Sequence, residues 1–249
     1  MEELAGRTAL VTGAARNIGR AIALDLARAG AAVGLIARAD QAGLDETAAM
    51  IRAEGGRAET IVADLTDEAL VAAAVARTHD VFGSLDILVN NAALRSEAAF
   101  ENITLAQWRA VFSVNLEAAF LTSQAALPHL RRSDAAAIVH MGGLTAYTGA
   151  RQRAHVVAAK AGLDGLTKAM AQDLAEDGIT VNLVSPGLID TVRGGRSAAQ
   201  PDHHKHHATL LGRRGRPDEV AAMVRHLAGP NGRYITGQTI HVNGGVFLP

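Results

Sequence analysis

The 249-residue sequence contains no cysteine, which excludes disulfides, thiol nucleophiles and thiolate metal sites. It has almost no net charge, −1 with histidine neutral, and so no electrostatic footprint for nucleic acid or for an anionic membrane surface. No apolar run approaches the roughly 20 residues that cross a bilayer. Residues 1–7 are short and acidic ahead of a strand-like run, unlike a signal peptide. No Pro- or Ser-rich linker divides the chain. What is abundant is apolar surface, at 49% of residues, ample for a large buried core. The expectation is one soluble, cytoplasmic domain over residues 1–249, acting on a small molecule without a metal, a membrane or nucleic acid.

Short apolar runs alternate with helical patterns along the whole chain. Strand-like runs fall at 8–12, 32–37, 58–63, 85–89, 135–141, 179–184 and 239–242. Between them lie helical patterns at about 21–30, 41–54, 67–82, 105–130, 153–177 and 217–228, with Asp67 near a cap. Strands spaced by helices of this length predict an α/β fold, a doubly wound parallel sheet (Rossmann-like) with helices on both faces. The one long irregular stretch, about 191–216, exceeds ordinary connection lengths and reads as a substrate flap.

A strand, a glycine loop and a helix follow one another at the start of the chain. That order sets backbone N–H groups and a helix N-terminus against a phosphate. The loop, Thr12-Gly-Ala-Ala-Arg-Asn-Ile-Gly19, does not match G-x-G-x-x-G and alone is weak. It gains weight from Asn90-Asn-Ala-Ala93 after the fourth strand, Asn115 in the next helix, and Pro186-Gly-Leu-Ile-Asp-Thr191 after the sixth. All of these sit at the carboxyl ends of parallel strands, where open α/β sheets bind ligands.

Together these motifs resemble the short-chain dehydrogenase/reductase family, in the branch of the 3-oxoacyl-carrier-protein reductases. The resemblance runs through to Ile235-Thr-Gly-Gln-Thr-Ile-His-Val-Asn-Gly-Gly245. It implies a nicotinamide cofactor held by Gly13, Arg16, Asn17, Ile18 and Gly19. Asn17 stands where the family's middle glycine would be, and asparagine tolerates the left-handed backbone better than most residues. The resemblance further implies that Asp64 and Leu65 contact the adenine, and that Asn91 and Ala92 line the ribose. Lys160, Pro186, Gly187, Ile189 and Thr191 would then approach the nicotinamide end. An acid closing the second strand would repel a 2′-phosphate; here Ala37 is followed by Arg38, with Arg16 nearby. NADP(H) is therefore favoured over NAD(H), with a solvated Arg38 as the other reading.

The catalytic stretch departs from its family. Carbonyl reduction needs a hydride and a proton, and the family takes the proton from a tyrosine one helical turn before a lysine. A serine thirteen residues earlier holds the carbonyl, and an asparagine supports a proton relay. Lys160 and Asn115 fit their places. Counting back four from Lys160 gives Val156, and thirteen further gives Gly143. Two substitutes for the missing acid are open: His155, about 140° around the helix from Lys160, and Tyr147 in the loop after the strand. Otherwise these are a helix-surface or interface histidine and a tyrosine packed on the flap. His140 reads as a structural, hydrogen-bonded histidine.

Three functions stay open: a carbonyl/alcohol oxidoreductase with an atypical site, a nucleotide-binding homologue without redox activity, and a non-redox isomerase or lyase. Arg95 and Ser96 border the expected substrate pocket, where Arg95 either holds an anionic substrate or is a solvated loop residue. The histidine cluster at 203–207 sits in the expected flap and reads as loop rather than metal site. The resemblance also implies a homotetramer (or homodimer) through the helices near 108–130 and 156–174.

Overall fold

The computed structural model describes residues 2–192 and 208–249. The histidine cluster at 203–207 and most of the expected flap lie outside the described residues. Seven strands form one parallel sheet: β1 (Thr8–Thr12), β2 (Ala32–Ala37), β3 (Ala58–Val62), β4 (Ile87–Asn90), β5 (Ala137–Met141), β6 (Thr180–Pro186) and β7 (Thr239–Val242). Their order is β3-β2-β1-β4-β5-β6-β7, so the chain reverses direction of travel between β1 and β4. That switch opens a crevice at the carboxyl ends of the strands.

Successive strand residues alternate between two cores, as the two-residue period of a pleated strand requires. Ala9, Val11, Val89 and Val139 face one core with helices α1 (Asn17–Arg28), α2 (Gln41–Ala53) and α8 (Pro217–Ala228). Leu10, Leu88 and Ile138 face the other, with α3 (Glu68–Phe82), α5 (Ala118–Leu130) and α7 (Ala154–Asp173). Burial on both faces explains why these strands read as continuous apolar runs rather than as an alternating pattern. Asp67 caps α3 by accepting from the Leu70 N–H at 3.1 Å.

Beyond shifts of a few residues at element ends, such as α1 beginning at Asn17, the helical pattern is revised in three places. The helix expected over 105–130 is α4 (Leu105–Phe112), a π turn (Ser113–Glu117) and α5. A π turn inserts a residue without disturbing the apolar periodicity much, so pattern cannot reveal it. By length and composition this stretch is long and apolar enough to cross a membrane, with mean hydropathy 1.2, which corrects the expectation that no run comes near that length. Ala118, Ala119, Thr122, Ala126 and Leu130 of that stretch are buried. A short helix, α6 (Thr145–Thr148), follows β5 where only loop was expected. And α7 stops at Asp173, four residues short of the expected end, before the turn closed by Gly178 at φ 68°.

Candidate active site

The glycine loop between β1 and α1 is built to lie against backbone. A Cβ on Gly19 would come within 2.1 Å of the Gly13 carbonyl oxygen, and one on Gly13 within 2.9 Å of Asn91 Nδ2. Asn91 Nδ2 donates to the carbonyls of Thr12 (2.9 Å) and Gly13 (3.2 Å). Thr12 Oγ1 in turn accepts from the backbone N–H groups of Asn91 (2.9 Å) and Ala92 (3.0 Å). The ends of β1 and β4 are thereby fixed together. Behind the loop, Arg20 Nη2 donates to the Ala15 carbonyl and Thr47 Oγ1 to the Ala14 carbonyl.

Helix α1 then begins without a side-chain cap and without an acid in its first turn. Its leading N–H groups and positive dipole end are left for an outside anion. This is the cradle a dinucleotide pyrophosphate fits. Thr12 is a site residue that motif reading passed over; its role lies in a cross-strand bond that spacing does not encode.

Asn17 does adopt the left-handed backbone, at φ 53°. It also does something a glycine cannot. Its Nδ2 donates to the Val192 carbonyl and its Oδ1 accepts the Val192 N–H, both at 2.9 Å. The chain leaving β6 is thus latched to the nucleotide loop. Losing both bonds costs about 1–3 kcal/mol, whereas glycine recovers roughly 1 kcal/mol of left-handed strain. Asn17→Ala is therefore expected to destabilise the protein clearly more than Asn17→Gly in urea denaturation; equal losses would mean that the left-handed backbone at position 17 carries no strain.

The far side of the crevice is equally closed by backbone. A Cβ on Gly187 would meet Asn243 Cα at 2.6 Å, and the Pro186 carbonyl accepts from the Leu144 N–H at 3.1 Å. Ile189 is buried and bridges to Gly215, with Thr191 half-buried beyond it. At the adenine end, Leu65 is buried. The Asp64 carboxyl is held below the usual carboxylate range, first by the Thr66 N–H and then by the Thr66 hydroxyl, with a smaller contribution from the Arg38 charge. Arg38 is exposed just past β2. Arg16 shares its field with Arg95, a pairing that sequence order does not suggest.

The π turn explains Asn115. Its carboxamide reads both backbone groups of Leu94, accepting the N–H at 2.7 Å and donating to the carbonyl at 3.0 Å. Lys160 is buried, and its Nζ donates to the Met141 carbonyl at the end of β5. Burial, and then the Arg95 charge, push its pKa down to about 8. Lys160, Asn115 and the end of β5 thus converge. Gly143 stands beside them in open space, where a Cβ would meet no atom within 4 Å. Val156 packs with Val111, Ala159, Leu94 and Phe112.

The two expected substitutes are placed elsewhere. Tyr147, carried off by α6, donates its hydroxyl to Asp164 Oδ1 at 3.1 Å, with Thr239 Oγ1 at 3.4 Å. Its ring lies edge-on to His241 and stacks on Phe247. Burial pushes its pKa up to about 12. His155 is fully buried, and burial followed by the Arg153 charge pushes its pKa down. His155 is thus sealed from solvent, and the Tyr147 hydroxyl is engaged by a carboxylate. His140 is the structural histidine expected, with Nδ1 at 3.2 Å from Asn90 Nδ2.

A family model described as enoyl-(acyl carrier protein) reductase matches residues 13–247. The chain belongs to the short-chain dehydrogenase/reductase family. A 3-oxoacyl-[acyl-carrier-protein] reductase, FabG, of Staphylococcus aureus is 36% identical over 97% of this chain and 98% of its own length. The FabG of Vibrio harveyi is 37% identical over 98% and 99%. Among solved structures, a short chain dehydrogenase from Burkholderia cenocepacia in complex with NADP superposes with a TM-score of 0.91, at 38% identity over 98% of this chain and 99% of that one. A blue fluorescent protein from a metagenomic library, in complex with NADPH, gives 0.91 at 33% identity over 99% and 100%.

At the carboxyl ends of the strands, the glycine loop closes on Asn91, Asn115 holds the Leu94 backbone and Lys160 reaches the end of β5. Positions 143 and 156 hold a glycine and a valine.

Proposed function

We propose that this chain is an NADP(H)-binding oxidoreductase that interconverts a carbonyl and an alcohol, with an atypical active site in which Lys160 itself supplies the proton. One observation carries the reading. A buried amine with a pKa of about 8 lies at the end of β5, two residues from the open space at Gly143. A general acid works best when its pKa lies near the working pH, and with Val156 in place no tyrosine stands between this ammonium and a substrate. When bound, the nicotinamide supplies the hydride. Lys160 passes a proton from Nζ to the developing alkoxide and is reprotonated from solvent, while Asn115 holds the Leu94 backbone that borders the pocket.

Gly13, Gly19 and the free N–H groups of α1 suit a pyrophosphate, with Asn17 and Ile18 shaping the turn. Asn91 and Ala92 suit the ribose, and Asp64 and Leu65 the adenine. Arg38, with no acid closing β2, supports NADP(H) over NAD(H); the NADP and NADPH carried by two similar structures point the same way. The near-full-length likeness to the FabG relatives supports a cytoplasmic setting.

The test is turnover of NADPH against a panel of ketones, aldehydes and 3-oxoacyl thioesters between pH 6 and 10. Reduction needs the protonated amine, so kcat is expected to fall as pH rises through about 8, and Lys160→Met to remove the turnover together with that break. Arg38→Ala is expected to weaken NADPH far more than NADH. Clear NADPH fluorescence binding with no turnover at any pH would favour the second reading, a nucleotide-binding protein without redox activity. Gly143 and Val156 are the observation that keeps that reading alive.

A further inference from the structure

The crevice holds one cation, Arg95, that the proposed cofactor contacts leave unassigned. Arg95 follows directly on Leu94, whose N–H and carbonyl are both gripped by Asn115 and whose side chain packs against Val156. Three residues on, the Ala98 N–H donates to the Gln152 carbonyl at 2.9 Å, so the segment is pinned on both sides of the arginine. Arg95 is exposed and makes no hydrogen bond or ion pair among the described residues. It nevertheless sits low enough in the crevice that burial is the first cause of its lowered pKa, followed by the Arg16 charge, with only Glu97 opposing. Its field also reaches Lys160. Three cations from β4, the glycine loop and α7 thus face one cleft with a single modest counter-charge. An exposed guanidinium on pinned backbone, with no partner among the described residues, is free to take a ligand anion.

We propose that Arg95 is a specificity-determining residue that grips the carboxylate of a small oxo-acid or hydroxy-acid substrate beside Lys160. A guanidinium takes a carboxylate through two parallel N–H···O bonds in a fixed plane. Held there, the acid presents its carbonyl toward the space over Gly143, where no serine is available to position it. The charge of Arg95 does the positioning instead. This inference rests on the proposed oxidoreductase reading for the chemistry, but not for the binding.

The rival claimant for the charge is the cofactor's own pyrophosphate, and the experiment separates the two. A panel of 2-oxo and 3-oxo acids of four to eight carbons, each paired with its methyl ester, is titrated by calorimetry into the protein with and without NADP. At least one acid is expected to bind about tenfold or more tighter than its ester. Arg95→Gln should erase that preference while changing NADPH affinity less than about twofold, and Arg95→Lys should keep part of it. Equal binding of acids and esters, or no binding by any acid, overturns the proposal. So does a tenfold loss of NADPH affinity in Arg95→Gln, which would give the charge to the cofactor. If NADPH does not bind the unaltered protein, the oxidoreductase reading fails on its own. The acid-over-ester preference without NADP then still decides the role of Arg95.

Discussion

Gly143→Ser combined with Val156→Tyr is expected to raise NADPH-dependent reduction of a simple ketone by about 10²–10⁴, the usual worth of a positioned general acid. The scaffold is ready for both changes. A serine Cβ at Gly143 meets nothing within 4 Å, and the position has no positive φ to strain it. Val156 lies one helical turn before Lys160, so a tyrosine there shares the lysine's face of α7. Its hydroxyl then reaches the region where Lys160 now meets the Met141 carbonyl. The cost is local. Tyrosine is larger than valine among Val111, Leu94 and Phe112, and overpacking runs to about 1–3 kcal/mol unless the ring swings into the crevice.

The single variants divide the gain. Val156→Tyr alone restores the proton donor and is expected to recover most of it; Gly143→Ser alone places a carbonyl anchor beside a site whose donor is still Lys160, and should do little. The pH profile supplies a second readout, because the break attributed to Lys160 should move once a tyrosine carries the proton. Steady-state turnover, with NADPH binding and thermal midpoint as controls, checks all three. A double variant that folds and binds NADPH but turns over no faster would show that position 156 does not face the reacting carbonyl.

How far the sequence alone reaches can be judged residue by residue. The parallel sheet was legible because strands buried on both faces must be short apolar runs, and because helices long enough to cross a sheet separate them. The left-handed Asn17 was legible from side-chain chemistry. Its latch to Val192 was not, since the two residues are far apart in the chain and meet only through the topology. Counting turns along one helix put Val156 and Lys160 on one side of α7. The contact of Tyr147 with Asp164 was not legible, because it depends on a four-residue helix after β5 that nothing in Thr145–Thr148 announces. Helical geometry showed that His155 diverges from Lys160, but not that the protein seals it completely. Asn115 was found as a motif, yet its grip on Leu94 depends on a π turn that an apolar pattern conceals.

Acid should unfold this protein early, and His140 is expected to be a principal cause. Its ring is fully buried on β5, opposite Asn90 on β4. Asn90 Oδ1 accepts the Thr122 hydroxyl at 2.6 Å, which leaves Nδ2 as the donor toward His140 Nδ1. The imidazole is therefore an acceptor at Nδ1 and neutral. Burial, and then the Lys160 charge, push its pKa down to about 3. The unfolded chain takes up a proton near the ordinary histidine pKa of about 6.5, while the fold refuses it down to about 3. Stability is thus whole above about pH 6.5 and drains by roughly 1.4 kcal/mol per pH unit below it, approaching about 5 kcal/mol in all. Against a typical total of about 5–15 kcal/mol, that is enough to bring unfolding into mildly acid solution. Carboxylates add to the slope near pH 4, so the decisive quantity is a difference between proteins. Between pH 7 and 4.5, urea denaturation should show a loss smaller by about 2–3 kcal/mol in His140→Asn than in the unaltered chain. Asparagine keeps a partner for Asn90 but has nothing to protonate. The variant's stability at pH 7 is expected to be lower for want of packing, yet its acid slope shallower; parallel slopes would acquit His140 and put the acid sensitivity on the carboxylates and on the other histidines that burial shifts down.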